Sequence, residues 1–541
     1  MTQLPTIIST FVSILVSTSW IPIVCPSSIV VYPFCTYTLN SHFMVFGNLA
    51  RTLLENGHDV TFILPDDIQL LSDTEYIPRD VVIMSFPTPK RYHVNLSPDH
   101  GDMSPWKFMD IGAKVQYRFC ASLLRTKVLN QIKSRNFDLF LTDESAWCSR
   151  LVWDYLDIPT VVVSTWGPVR DTDLARPYMP SFVPNIQTSF TDKMTFIERV
   201  WHYIINMRMD VAINGILDDF DNLKRKFKLN ATLSMRDSFK RVSLVICQGD
   251  ISAEFPRPTM PNVVMLSPLG IFQNEVLSAE INDFVEGATF GIVVVSFGTR
   301  FNNVGIDKAE AMARIFSSLK LRVIWKYEGA NLTNASDNVM RVPWIPQNAL
   351  LKHSKTKLFI THCGVNSFNQ AIYYGVPVIA VPLDLDQFSH ASKLVNRKRM
   401  GLQVNVNELK SEKFGNVVRR VLHNYRMYKT NAVTAMNLMK DQPLPINQSF
   451  LYWIEYVIRW HGAPHLRSEV ANDMTFFQLY SLDVILFLVV IVIMGTASVL
   501  MVCKHLWLRR KRIPWALVMT CTTRSRCRRR ILFQLSRKCK L

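Results

Sequence analysis

Two stretches of this chain alternate short β-branched runs with helical segments, and no other feature narrows the fold as much. The first opens at Ile29, Val30 and Val31, passes through a helical stretch with Phe46, Leu49 and Leu53 on one face, stops at Gly57 and resumes as a strand from Val60 to Leu64. That is a βαβ unit. A second unit runs from Leu139 to Thr142 into Asp143, a helix through Leu151 to Tyr155 and an apolar strand from Thr160 to Val163, and Thr195 to Phe227 reads as helical. Pro256, Pro258, Pro261 and Pro268 then crowd into a segment that suits an extended linker better than a helix or a central strand. Beyond it, strands at Ile292 to Ser296, Arg322 to Tyr327, Lys357 to Thr361 and Val376 to Val381 alternate with helices at Asp307 to Leu319, Ser367 to Tyr374 and Gln387 to Arg399. Alternation of this kind requires parallel sheets covered on both faces. The expected class is α/β, with two facing domains and one cleft beyond the carboxyl ends of their strands. At 541 residues the chain is too long for a single core.

Charge and apolarity are distributed unevenly. Val484 to Cys503 is a run of 20 residues without a charge, the length a helix needs to cross a bilayer. A buried core helix is the alternative, but Lys504, Arg509, Arg510, Lys511 and Arg512 follow at once. From Lys504 to the end there are thirteen Lys and Arg and no Asp or Glu, so of the net +18 only five charges belong to everything before. A basic face for nucleic acid is thereby excluded as the source of the charge. The positive-inside rule puts this tail in the cytosol and the body across the membrane. Ile7 to Val24 reads as a secretory signal, although its leading segment lacks Lys or Arg, with cleavage expected near Cys25. Asn95, Asn230, Asn331, Asn334 and Asn447 each begin an Asn-x-Ser/Thr triplet, in keeping with a lumenal body. Of ten cysteines, Cys35, Cys120, Cys148, Cys247 and Cys363 fall in that body without metal-ligand spacing, which leaves one or two disulfides open and their pairing undetermined.

The expected organisation is a signal segment over 1–25, an N-terminal domain over 26–255 and a linker over 256–285. A C-terminal domain over 286–442, helices and a juxtamembrane segment over 443–478, a transmembrane helix over 479–503 and a basic tail over 504–541 complete it.

Chemistry concentrates in the second α/β stretch. Trp344-Ile345-Pro346-Gln347 precedes Thr361-His362-Cys363-Gly364-Val365-Asn366-Ser367, then Gly375-Val376-Pro377 and Pro382-Leu383-Asp384-Leu385-Asp386-Gln387. His362 and Gly364 stand where a buried strand turns into a helix, and the free N–H groups of a helix start attract an anion such as a pyrophosphate. Ser296-Phe297-Gly298-Thr299 offers a second small loop at the end of the first strand. In the first stretch, His42 opens a helix beyond one strand and Asp143 ends another, so the two can pair as base and orienter. Taken singly, each is ordinary: a Trp in an apolar stretch usually packs in a core, and a lone His after a strand is usually structural.

Together these segments resemble the signature of the UDP-glycosyltransferase family, in its animal membrane-anchored form. The resemblance spans nearly the whole chain and implies a GT-B arrangement of two facing Rossmann-like domains, the first binding acceptor and the second UDP-sugar. It implies that Trp344 stacks on uracil, that Gln347 holds base or ribose, and that His362, Gly364, Asn366 and Ser367 hold the diphosphate. It further assigns Asp386 and Gln387 to the sugar hydroxyls, and His42 and Asp143 to catalysis. Ser296, Gly298 and Thr299 join the donor site. One departure stands out: Gln370 occupies a position where the family commonly has a Glu on the ribose, and a neutral amide lacks the charge-assisted bond of a carboxylate. Cys363 replaces a common Gly. Asp384 and Asp386 have the spacing of a metal-binding carboxylate pair, but in the resembling family the helix start and side chains neutralise the diphosphate, so neither metal nor cofactor is expected.

The implied reaction is inverting transfer of a hexosyl group, from UDP-glucose or UDP-glucuronate, to a hydroxyl of a small lipophilic acceptor. Trp106, Phe108, Met109, Phe119, Trp166 and Tyr178 are candidates for lining the acceptor pocket. The resemblance also places the protein in the endoplasmic reticulum membrane as a single-pass type I glycoprotein and leaves a homo-oligomer open. Gln370 motivates an alternative, a membrane-tethered UDP-sugar-binding protein without catalysis.

Overall fold

A computed structural model describes residues 26–35, 41–69, 77–90, 105–167, 179–229, 233–271, 275–299 and 304–511, in two compact units, 1–469 and 470–541. The first unit is built on two parallel sheets. One has seven strands in the order β3-β2-β1-β4-β5-β6-β7: β1 Ser28–Tyr32, β2 Asp59–Pro65, β3 Val82–Phe86, β4 Leu139–Asp143, β5 Thr160–Ser164, β6 Leu244–Cys247 and β7 Val263–Met265. The other has six, in the order β10-β9-β8-β11-β12-β13: β8 Ile292–Ser296, β9 Arg322–Lys326, β10 Val339–Val342, β11 Thr356–Thr361, β12 Val378–Ala380 and β13 Gly401–Gln403.

The β-branched runs become the central strands because both their faces are covered. Every residue of β5 and β8 is buried, which suits side chains that are stiff at χ1 and pack well on a pleated surface, and the Leu-Phe-Leu run of β4 is buried as well. In the first sheet the strand order reverses between β1 and β4, where Val31 pairs with Leu141 and Tyr32 with Thr142. In the second it reverses between β8 and β11, where Ser296 pairs with Thr361. Those are the two positions where a parallel sheet opens a crevice for ligands. Beyond the first lie α1 (Ser41–Glu55), after β1, and Asp143, the last residue of β4. Beyond the second lie Gly298, after β8, and the turn from β11 into a helix at Val365.

Several elements differ from expectation. The proline-rich segment contributes β7, whose Val263–Met265 pairs with β6 at the sheet edge. An edge strand tolerates prolines at its flanks, here Pro261 and Pro268, because one side of its backbone needs no partner. The helix expected from Gln387 to Arg399 is regular only over Gln387–Ser392, then widens into a π-turn over Lys393–Arg397. The helix Ile446–Arg459, expected as an appendage, returns to the first sheet, where Phe450, Ile454 and Val457 complete the core against α1. A disulfide joins Cys120, on α2 (Pro105–Leu124), to Cys148 at the start of α3 (Ser149–Leu156).

The two halves are tied by polar groups. Glu254 and Lys393 form a fully buried ion pair at 2.6 Å. Burial lowers the affinity of the Lys393 amine for its proton; burial also acts to raise the Glu254 carboxyl, but Lys393 and Arg257 outweigh it and hold the carboxyl below its usual range. The segment after β7 is clamped from three sides: Asn48 of α1 donates to the Leu269 carbonyl at 3.0 Å, Ser267 Oγ to Asn369 Oδ1 at 2.9 Å, and Gln442 to the Ser267 carbonyl at 3.1 Å. Removing one partner of a buried pair strands the other charge. Lys393→Met is therefore expected to destabilise the protein by about 3–5 kcal/mol, read from denaturant unfolding in detergent, whereas Lys393→Met combined with Glu254→Met loses much less.

Candidate active site

The reactive end of the first sheet is assembled from three strand termini. His42 sits on the first turn of α1, Asp143 ends β4 and Thr165 follows β5. His42 Nδ1 lies 3.0 Å from Asp143 Oδ2 and 2.6 Å from Thr165 Oγ1, and the Thr165 hydroxyl donates to the same carboxylate oxygen at 3.4 Å. Asp143 is inaccessible to solvent, and its other oxygen accepts the Ser145 backbone N–H at 2.7 Å. A carboxylate so buried and accepting favours an Nδ1–H tautomer, which leaves Nε2 as the basic nitrogen. Aromatic neighbours fix the imidazole: Phe34 at 5.2 Å and Trp166 edge-on at 5.3 Å between ring centroids. The Trp166 indole N–H in turn donates to Ser145 Oγ. Thr165 and Ser145 were not foreseen, because nothing marks a loop Ser or Thr as a partner of residues distant in the chain.

The second sheet presents a complementary surface. His362 leaves β11, and its ring is enclosed by two glycines: a Cβ added to Gly298 or to Gly364 would stand 2.5 Å from Nε2. Gly298 has φ +83°, a left-handed conformation that glycine adopts without penalty, and its N–H reaches Ser296 Oγ at 3.4 Å. Thr299 follows it, partly exposed. Cys363 also has a left-handed φ of +65°, which explains why a glycine suits this position; its thiol is buried, and burial pushes its pKa well up. The helix α4 (Val365–Tyr373) then begins with Gly364 as its cap, so its first N–H groups face the region around His362.

Asn366, on the first turn of α4, joins the halves. Its Oδ1 accepts from Gln248 Nε2 at 2.9 Å and its Nδ2 donates to the Ser41 carbonyl at 3.4 Å, the residue beside His42. Gly270 permits this approach, since a Cβ there would lie 2.6 Å from Asn366 Oδ1. Gln248, buried at the end of β6, and Gly270 were both missed by sequence reasoning, because their role exists only once the halves meet.

Gln347 donates to Ser367 Oγ at 3.1 Å and to Gln370 Oε1, so these three residues form one hydrogen-bonded cluster. Trp344 is 44% exposed, which rules out a core role and leaves a ring face open. Lys326 lies 5.5 Å from its centroid, its ammonium pKa lowered by burial. Gln387 Oε1 accepts the N–H groups of Leu383 and Asp384 at 2.8 and 3.1 Å, which holds the preceding turn. Asp386 Oδ2 lies 3.2 Å from His390 Nδ1, which is also 3.1 Å from the Cys363 carbonyl, while the His390 ring stacks on Phe368 at 4.8 Å. This links the Asp386 turn to the His362 turn through His390, another residue sequence reasoning missed.

Of the candidates for the acceptor pocket, Trp166 lies against His42, Phe119 is buried in the core of the first sheet and Met109 packs partly exposed at its rim. The side chains of Trp106 and Phe108, and all of Tyr178, lie outside the described residues.

Comparison with known proteins identifies the family and the fold. The family described as UDP-glucoronosyl and UDP-glucosyl transferase matches residues 35–512. Mouse UDP-glucuronosyltransferase 1A9 is 31% identical over 487 residues, covering 86% of this chain and 90% of that protein. Human UDP-glucuronosyltransferase 1A6 is 30% identical over 468 residues, covering 84% and 87%. Among solved structures, the glycotransferase of kitacinnamycin superposes with a TM-score of 0.57 at 15% identity, over 80% of this chain and 100% of that one. A UDP-glucosyltransferase from Polygonum tinctorium gives 0.56 at 17%, over 80% and 99%. At such identities the structural likeness speaks for the fold alone, a GT-B arrangement.

The enclosure of His362 yields an expectation. Gly298→Ala puts a methyl group into the imidazole and forces an unfavourable φ, so UDP affinity is expected to fall about ten- to a hundredfold, or about 1.4–2.8 kcal/mol. Titration calorimetry on the full-length protein reads it; an unchanged affinity would show that the ring has no part in the site.

Proposed function

The chain belongs to the UDP-glucoronosyl and UDP-glucosyl transferase family and is a glycosyltransferase that draws on a UDP-sugar, and we propose that it catalyses inverting, metal-independent transfer of a hexosyl group to a hydroxyl of a small lipophilic acceptor. UDP-glucose or UDP-glucuronate is the donor in this reading. The observation that carries it is the 3.0 Å pairing of His42 with the buried Asp143 at the switch point of the first sheet.

In the proposed step, His42 Nε2 removes the acceptor's hydroxyl proton as the oxygen forms a bond to the anomeric carbon. The bond from that carbon to the β-phosphate oxygen breaks, and UDP departs with the electron pair. Asp143 stabilises the imidazolium through Nδ1–H, and Thr165 and the Ser145 N–H hold the carboxylate in place. Direct displacement from the opposite face inverts the anomeric centre. General-base assistance of this kind is worth roughly 10²–10⁴-fold. The charge developing on UDP is received by His362 and by the N–H groups at the start of α4, already oriented before reaction.

The remaining residues divide by place. Trp344 offers its open face to uracil, Gln347 and Gln370 face the ribose, Ser367 and the Ser296–Thr299 loop approach the phosphates, and Asp386 and Gln387 take the sugar hydroxyls. Asn366 has both ends of its carboxamide engaged with the N-terminal half, so in this reading its backbone N–H serves the diphosphate while its side chain holds the halves together. The N-terminal half, with Trp166 beside His42, receives the acceptor. The anchoring helix Leu482–Lys511 holds the protein in the endoplasmic reticulum membrane, body lumenal and basic tail cytosolic, a placement supported by the charges that follow the span.

His42→Ala is expected to lower kcat for UDP release by roughly 10²–10⁴-fold with little change in the KM for the donor. The assay takes full-length protein with UDP-glucose, UDP-glucuronate, UDP-galactose and UDP-N-acetylglucosamine in turn, against phenols and sterols. Turnover unaffected by the substitution would remove His42 as the base, and turnover abolished by EDTA would remove metal independence. Gln370→Glu, which restores an ionised acceptor, is expected to tighten donor binding about tenfold, since bonds to charged acceptors are about twice as strong as neutral ones.

A further inference from the structure

The buried pair of Glu254 and Lys393 ties the halves together, yet stability alone is a weak reason to keep it. Taking two charges out of water costs about as much as their attraction gains, and apolar side chains of similar volume often serve a fold equally well. This pair is also incompletely satisfied. Lys393 Nζ reaches Glu254 Oε1 at 2.6 Å, whereas Oε2 is buried with no hydrogen-bond partner among the described residues. What an ion pair supplies and an apolar pair does not is a fixed distance and direction between two segments of backbone.

Both segments lead into the candidate site. In the first half, Glu254 lies against two glycines, and a Cβ on Gly249 would stand 3.3 Å from its Cγ, one on Gly167 3.8 Å from its Oε1. Gly249 follows Gln248, the partner of Asn366. Gly167 follows Thr165 and Trp166, which hold the His42 ring, and its carbonyl accepts the Ser164 hydroxyl at 2.6 Å. In the second half, Lys393 opens the π-turn directly after the helix that Asp386 caps. Its ammonium stands 5.9 Å from the centroid of Phe368, the ring on which His390 stacks, and His390 joins the Asp386 turn to the His362 turn. The widened turn has a reason here. The Lys398 N–H bonds the Lys393 carbonyl at 2.8 Å, five residues back, which brings Lys393, Arg397 and Lys398 to one side. All three reach the same short segment, since Arg397 Nε donates to the Ser252 carbonyl at 3.3 Å and Lys398 Nζ to Ser252 Oγ at 2.8 Å.

We propose that Glu254 and Lys393 are positioning residues of the transfer reaction, an inference that rests on the function proposed above. The pair sets the loop of Thr165 and Trp166, and with it the His42 base, against the Asp386 turn that takes the donor sugar. Neither residue needs to touch substrate. Acceptor oxygen and anomeric carbon are brought up by opposite halves, and a misplacement of about 1 Å between reacting groups can cost about a hundredfold in rate. The outer bonds from Arg397 and Lys398 hold the Ser252–Glu254 segment, and the inner pair aims it.

The test compares full-length wild type in detergent with the variant Glu254→Met combined with Lys393→Met, which removes both charges of the pair together and keeps the interior filled. The measurements are kcat and KM for the UDP-sugar that wild type uses, with UDP affinity from calorimetry. Positioning predicts kcat lowered about ten- to a hundredfold, while the KM for the donor and the affinity for UDP stay within about threefold. Lys393→Arg, whose fork can bond both carboxylate oxygens, is expected to keep kcat within about threefold of wild type. If the double Met variant does not bind UDP, Glu254→Gln combined with Lys393→Met, closer in shape to the native pair, is read in its place with the same expectation. Wild-type kcat in a double variant that binds UDP makes the pair merely structural and overturns the proposal, leaving the reaction standing. A wild type that turns over no UDP-sugar removes the reaction itself, and the proposal with it.

Discussion

A carboxylate removed from water needs compensation close by, and Asp143 is removed from it completely. The Ser145 N–H, the Thr165 hydroxyl and the His42 imidazole supply that compensation, each delivered by a different strand end. The arrangement survives only while β1, β4 and β5 keep their register, because a one-residue slip would turn Asp143 to the other face of the sheet. Continuous apolar packing on both faces enforces that register. The base of the proposed reaction therefore owes its position to apolar side chains that never meet a substrate.

The second half works by a different constraint, closeness of backbone. His362 fits only because Gly298 and Gly364 lack side chains, and Asn366 reaches the first half only because Gly270 does. Around these approaches stand a bond that crosses between the halves, from Ser267 to Asn369, and the buried pair of Glu254 and Lys393, while Asn48 holds Leu269 from the first half. The hydrogen bonds act on one short segment after β7, and the ion pair acts on the segment before it. The mutual placement of the proposed base and the proposed diphosphate site is accordingly set by a few polar contacts on rigid strands, which is how a site gains precision without long loops.

Much of this was legible in the sequence, and the part that was not has a physical explanation. The strands β1 and β8 announce themselves by β-branched runs and β4 and β11 by short apolar runs, and they are the strands that flank the two switch points, so the location of the candidate site could be expected. The strands β6 and β13 are three or four residues long, too short for a period to emerge, and β7 was hidden by the prolines that an edge strand tolerates. His42 and Asp143 could be paired because both stand at strand ends. Thr165, Gln248 and His390 could not, since their importance comes from distances between residues far apart in the chain. The pairing of Cys120 with Cys148 was equally out of reach, because five body cysteines allow many combinations and only the fold chooses.

The helix Ile446–Arg459 has a bearing on how the protein comes to be made. Its Phe450, Ile454 and Val457 belong to the core of the first sheet, yet they are synthesised 194 residues after that sheet's last strand ends at Met265, when counted to Arg459. At ordinary elongation speeds of about 5–20 residues per second that interval is roughly 10–40 s. Throughout it one side of α1 remains uncovered on a chain still attached to the ribosome. Folding of the first half is thus closed by a helix made late in the body's synthesis, shortly before the span that begins at Leu482. Truncation just before Phe450 therefore removes part of the first half's core while leaving the cores of the second sheet whole.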